Sequence, residues 1–213
     1  ERIHTLFQQE FSIAGRGVYT SVSIGVAIVA KQYHSPDELL RDADLAMYRA
    51  KRSETENTAI FDTTMHQAAI SRLNMETDLR RAQARGEFVV HYQPIVTLSE
   101  RRIVAFEALL RWLHPEKGLL SPDSFLSVVE DAGMLSNLSW WVLEQACTQA
   151  GEWRRLFVNG SPLGMSVNVS ATMFRAEKSA QRIMGIIRDS GISPGDLSLE
   201  LTERDCMDHE EAT

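Results

Sequence analysis

The chain has 213 residues, 44% of them hydrophobic and 24% charged, with a formal net charge of −7. That balance is ordinary for one or two folded domains and excludes a disordered or low-complexity chain. It also excludes general attraction to nucleic acid polymers or anionic lipid, so a phosphorylated ligand requires local cations or a metal. Two cysteines, Cys147 and Cys206, make neither a disulfide framework nor a zinc motif, which points to a reducing compartment. There is no secretory leader and no apolar run of membrane-spanning length, so no membrane contact is expected from this segment. The chain opens on Glu1 without a methionine and stops at Thr213, and both ends are expected to be cuts in a longer protein.

Residues 1–11 read as the end of a helix with Ile3, Leu6 and Phe7 on one face, and residues 22–29 as a β-branched strand. Ser35 is placed to cap a helix with Pro36 at its first position. Leu39, Leu40, Ala43, Ala46, Met47 and Ala50 recur at helical spacing over 37–52. Residues 59–61 are a short strand. Residues 62–85 are polar, with Met65, Ala69, Leu73, Leu79 and Ala82 at near-helical spacing and Gly86 as a stop, so an exposed spacer helix is expected. Strands follow at 88–96 and 102–112, joined by a connection too short for a parallel crossover, which predicts an antiparallel pair. Helices at 122–131, 137–157 and 176–190 then alternate with strands at 164–169 and 197–201, implying parallel strands with right-handed crossovers.

Glu107 and Arg111 lie within one apolar strand, where a carboxylate is seldom buried without a cation or metal. A structural Glu–Arg pair is the competing reading. Asn168 and Glu200 place oxygen ligands near the C-terminal ends of two further strands, and in β/α barrels those ends converge on one face. Carboxylate and amide oxygens suit hard cations such as magnesium or manganese, which polarise a phosphoryl oxygen and acidify a bound water. Taken singly, Asn168 also suits a strand-end turn and Glu200 a surface pair. His91, between apolar neighbours, reads as packed, and Trp140 and Trp141 read as core.

The run Ser23-Ile24-Gly25-Val26-Ala27, followed by Ala43-Asp44 and Met47-Tyr48 and then Ala50-Lys51, resembles the C-terminal part of a GGDEF domain, the diguanylate cyclase fold. The resemblance implies that Lys51 reaches a nucleotide triphosphate. However, Thr55 stands where that family carries arginine and Glu54 where it carries glycine, which argues for a solvated helix end instead. The family's signature would lie upstream.

Tyr92-Gln93-Pro94-Ile95, the stretch Glu107 to Trp112, Asn168-Val169-Ser170, and Glu200 to Glu203 are similar, in order and spacing, to the first half of an EAL domain. The implied fold is α/β: a partial GGDEF sandwich over 1–61, a linker helix over 62–86, and over 87–213 the first half of a (β/α)8 barrel with an antiparallel first strand. The implied activity is hydrolysis of cyclic di-GMP to pGpG with magnesium or manganese. Glu107, Asn168 and Glu200 would be metal ligands, the two glutamates acting in catalysis. Arg111 would hold a substrate phosphate. Gln93 would lie at the substrate floor or serve structure, and Glu203 would steady a neighbouring catalytic loop or be a plain surface carboxylate. The parent would be a cytoplasmic GGDEF–EAL protein, anchored only through upstream segments if at all, and a homodimer through its EAL domain. A catalytically inactive cyclic di-GMP receptor is the alternative. The family's paired aspartates, lysine and later glutamate come from strands beyond Thr213, so residues 1–213 alone are expected to be inactive.

Overall fold

The structure, a computed structural model, describes residues 2–29, 33–53, 55–157, 162–174 and 177–201. They divide into two compact units, 1–74 and 75–213, with the boundary inside one helix.

In the first unit, α1 (Arg2–Phe7) is followed by a hairpin of β1 (Phe11–Ile13) and β2 (Arg16–Val18), a correction to the helix expected as far as residue 11. Pairing of Ile13 with Arg16 leaves the two-residue loop Ala14-Gly15, with φ of 52° and 79°. A tight hairpin twisted to match its strands needs positive φ at both loop positions, and glycine supplies one without steric cost. β3 (Ile24–Val26) pairs in parallel with β4 (Thr58–Ile60), and α2 (Pro36–Arg52) connects them. Ser35 caps α2 by accepting from the Glu38 amide at 3.3 Å. Ala46, Ala50, Ala59 and Met65 form this unit's small core, while Lys51 and Thr55 are exposed.

α3 (Thr64–Ala82) is exposed along its middle, as its polar composition suggested, with Ile70 and Leu73 open to solvent, but it is buried near both ends. Met65 near its start is buried in the first unit's core. Leu79 and Ala82 near its end are fully buried with Phe88, Trp112 and Phe125 in the second unit.

The second unit is built on a sheet in the order β5-β6-β8-β9, with β7 (Gly118–Leu120) paired to the end of β6. β5 (Phe88–Val96) is antiparallel to β6 (Ile103–His114). β6, β8 (Gly164–Asn168) and β9 (Leu197–Glu200) are parallel, as the strand–helix alternation implied. One face carries Tyr92, Phe106, Ala108, Leu110, Met165, Val167 and Leu199, packed on α5 (Leu135–Leu156) and α6 (Ser179–Ser190) through Leu143, Ala146, Cys147, Ile183 and Ile187. Burial pushes the Cys147 thiol up to about 11, so it is a packed, unreactive group at neutral pH. Arg182 of α6 lies 4.1 Å over the Trp140 ring and bonds Glu144 at 2.9 Å, tying the two helices together.

The far end of β6 is anchored by buried polar groups. Trp112, fully buried, donates from Nε1 to Glu87 at 3.0 Å. His114 accepts the amides of Glu116 and Lys117 on Nδ1 at 3.1 and 3.2 Å, which closes the turn into β7. Its proton therefore sits on Nε2, 3.5 Å from the Asp78 carboxylate of α3. The helix expected over 122–131 is divided into a 3₁₀ turn, Pro122–Ser124, and α4, Leu126–Asp131. Phe125 at the junction leaves helical geometry (φ −137°, ψ −16°) with its ring fully buried.

At the α5–α6 crossing, a Cβ added to Gly151 would fall 2.1 Å from the backbone oxygen of Ser190. Gly151→Ala would gain up to about 1 kcal/mol in helix propensity but force two helix backbones apart, an overpacking cost of about 1–3 kcal/mol. The expected outcome is net destabilisation in denaturant unfolding, and a variant more stable than wild type would contradict this packing.

Candidate active site

Side chains alternate across a strand, so the residues left over from the packed face make a second face of opposite character. Register brings them into two rows. Gln93, Glu107, Ser166 and Ser198 stand side by side across β5, β6, β8 and β9. One step towards the C-terminal ends of the parallel strands, His91 pairs with Leu109, and Asn168 with Glu200. Glu107, Asn168 and Glu200 thus share one face, Glu107 within β6 and Asn168 and Glu200 at the ends of β8 and β9. β8 lies between the two carboxylates, whose strands are separated by about 10 Å.

Two hydrogen bonds organise this face, both donated from β8. Asn168 Nδ2 donates to Glu107 Oε1 at 2.7 Å, and Ser166 Oγ donates to Glu200 Oε1. Each carboxylate is held by one oxygen, leaving Glu107 Oε2, Asn168 Oδ1 and Glu200 Oε2 as a set of hard oxygen donors. Among the described residues, no group of three or more His, Cys, Asp or Glu side chains is arranged to hold a metal. An amide standing between two carboxylates is nonetheless a donor set of the kind magnesium or manganese takes, and these residues fit such an ion.

Gln93 is exposed directly opposite Glu107. Arg111 lies on the same face further along β6, half-buried, with Nη1 donating to the Leu110 carbonyl at 2.7 Å. Among the described residues no ion pair joins Arg111 to Glu107, which disfavours the structural pair considered from sequence. Glu203 lies outside the described residues. His91 corrects an expectation: it is exposed on the polar face, not packed. Tyr92, its neighbour, takes the packed face edge-on to Trp153 at 4.9 Å. Burial, reinforced by the Glu152 carboxylate, pushes its phenol up to about 12, so Tyr92 remains neutral.

Sequence reasoning missed Ser166. It is 3% exposed and bonds a candidate ligand, yet a lone serine in a strand carries no motif. The available signal was positional, because Ser166 stands two residues before Asn168 and so shares its face. A cavity of about 530 Å³ adjoins the site, sharing Asn168 with it and lined mainly by Leu110, Pro122, Leu126, Leu135, Leu138 and Val142. Ser170, Thr172 and Glu130 add polar groups to its wall.

The chain belongs to the EAL family: residues 76–213 match the EAL domain. Residues 1–57 match the diguanylate cyclase GGDEF domain. The bifunctional diguanylate cyclase/cyclic di-GMP phosphodiesterase MucR of Pseudomonas aeruginosa is 33% identical over 209 residues, 97% of this chain and 30% of MucR. The cyclic di-GMP phosphodiesterase PdeR of Escherichia coli is 31% identical over 210 residues, 99% of this chain and 31% of PdeR. This chain spans about a third or less of those relatives' lengths. Among solved structures, the PaMucR phosphodiesterase in complex with c-di-GMP is 34% identical with a TM-score of 0.59, covering 65% of this chain and 56% of that one. The EAL enzyme Bd1971 bound to cAMP and cyclic di-GMP is 29% identical with a TM-score of 0.60, covering 67% and 39%. EAL family membership implies dependence on a divalent metal.

Asn168→Asp keeps the shape of the side chain but replaces the donor facing Glu107 with a second carboxylate. Without divalent cations the variant is expected to lose stability by roughly 1 kcal/mol in denaturant unfolding at low salt, the cost of a like-charge pair in place of a charge-assisted bond. Wild-type stability would mean that the 2.7 Å contact contributes nothing.

Proposed function

We propose that this chain is the start of the EAL phosphodiesterase unit of a GGDEF–EAL protein that hydrolyses cyclic di-GMP to pGpG. The observation that carries the reading is the shared face of Glu107, Asn168 and Glu200, on three adjoining parallel strands and linked by donors from β8. Relatives named as cyclic di-GMP phosphodiesterases support it. The domain assignment is a partial GGDEF unit over 1–61, a linker over 62–86 and an EAL half over 87–213. The packing of Leu79 and Ala82 makes the second half of that linker part of the EAL core.

Glu107, Asn168 and Glu200 would hold magnesium or manganese, which when bound supplies a Lewis acid and an acidified water for attack on a phosphodiester. The chain's own residues do the positioning. Asn168 restrains Glu107 by a 2.7 Å bond, so the carboxylate does not have to be ordered when ligand arrives. Arg111, whose guanidinium uses one donor on the Leu110 carbonyl, has further donors for a substrate phosphate. Gln93, opposite Glu107, would bound the floor of the site. Glu203 would steady a catalytic loop. The adjoining 530 Å³ cavity, mostly apolar with a few hydroxyls, has the size and character to take a planar base.

No described helix is long and apolar enough to cross a membrane. A cytoplasmic location and a homodimer formed through the EAL unit complete the proposal, and residues 1–213 alone would lack activity because the family's later catalytic groups are not among them.

In the full-length protein, Glu107→Ala is expected to lower magnesium-dependent pGpG release by more than about a hundredfold, since even outer-sphere partners of metal ligands cost ten- to hundredfold. Thermal unfolding should change little because Glu107 is not core. Wild-type turnover in the variant would reject the metal role. Tight nucleotide binding without hydrolysis in the wild type would favour the receptor reading instead.

In the same protein, Arg111→Ala is expected to weaken cyclic di-GMP binding by about ten- to a hundredfold, the loss of a charge-assisted contact, with metal affinity unchanged. Calorimetric titration with calcium in place of magnesium measures it, and equal affinities would leave Arg111 a structural role only.

A further inference from the structure

We infer that Ser166 is a positioning residue that selects and fixes the oxygen Glu200 offers to the metal. The inference rests on the metal-site reading above and goes beyond it, because Ser166 itself is not a ligand in that reading. Ser166 is 97% buried by its 3% exposure, and its hydroxyl donates to Glu200 Oε1.

Its choice of partner is the informative point. By register Ser166 stands directly beside Glu107, not Glu200. Glu107 is already engaged by Asn168 through Oε1, and the serine hydroxyl reaches diagonally to the other neighbouring strand. β8 therefore assigns one donor to each carboxylate. A carboxylate with a single unbranched stem turns freely about its last torsion, and the two oxygens exchange unless one is held. Holding Oε1 leaves Oε2 as the oxygen available for a cation, in a fixed direction. Groups that orient ligands in this way set metal affinity without touching the metal.

A packing explanation also exists. Gly164 precedes Ser166 on the same face of β8, and a Cβ there would come within 3.1 Å of the Ala105 side chain, so this face favours small residues. Alanine would satisfy packing as well as serine does, which makes Ser166→Ala the discriminating variant.

Manganese binding to the full-length protein without nucleotide, followed by electron paramagnetic resonance, provides the test. Ser166→Ala is expected to raise the manganese dissociation constant by about ten- to a hundredfold with an unchanged unfolding midpoint. Ser166→Thr, which keeps the hydroxyl, should return it close to wild type when that variant unfolds at the wild-type midpoint. Glu107→Ala in the same assay separates the two levels of the argument. If Ser166→Ala binds manganese as wild type does while Glu107→Ala loses it, the positioning role is overturned and the metal site stands. If neither variant loses manganese, both fall.

Discussion

The second unit depends on the alternation of side chains along β8. Met165 and Val167 are buried in the core against α5 and α6, and this commits Ser166 and Asn168 to the opposite face. A slip of one residue against β6 or β9 would push two apolar side chains into the site and two polar ones into the core, a change no local adjustment repairs. Packing thereby fixes the register, and the register fixes which carboxylates meet which donors. The site is assembled as a by-product of hydrophobic burial, and its accuracy comes from the most rigid part of the fold.

The same constraint explains what could be read from the residues. β5 and β6 were visible because apolar strands over 88–96 and 102–112 joined by a short turn admit only an antiparallel pairing. β8 and β9 were visible as short runs alternating apolar and polar residues between helical patterns. Glu107, Asn168 and Glu200 stood out as polar residues in apolar surroundings, and the shared face follows from strand parity once the register is known. What stayed hidden is equally physical. The hairpin around Ala14-Gly15 rests on positive φ at an alanine, which residue type does not announce. β7 exists because His114 gathers two backbone amides, a contact that only the folded turn reveals. α3 looked solvated because its buried positions are divided between two cores and never form one continuous stripe. Ser166 was lost because small polar residues in strands are ordinary, and its partner lies 34 residues away.

Charge adds a second theme. With a net charge of −7, the chain would gather the proposed cyclic dinucleotide only through local features. In the proposed site the polar face would supply them in an ordered way: oxygens for a cation from Glu107 within β6 and from Asn168 and Glu200 at the ends of β8 and β9, and the Arg111 guanidinium further along β6. Neither element would serve alone, because two carboxylates without a cation repel a phosphodiester, and one arginine does not offset them. This mutual dependence makes the metal-ligand assignment the centre of the account.

The most direct measurement is the anomalous scattering of manganese in crystals of the full-length protein soaked with that ion. The account predicts a peak bounded by oxygens of Glu107, Asn168 and Glu200, at about 2.2 Å as hard oxygen donors require. The Ser166 hydroxyl would still be on the far oxygen of Glu200. A manganese peak elsewhere in the EAL unit, with these three side chains uncoordinated, would contradict it.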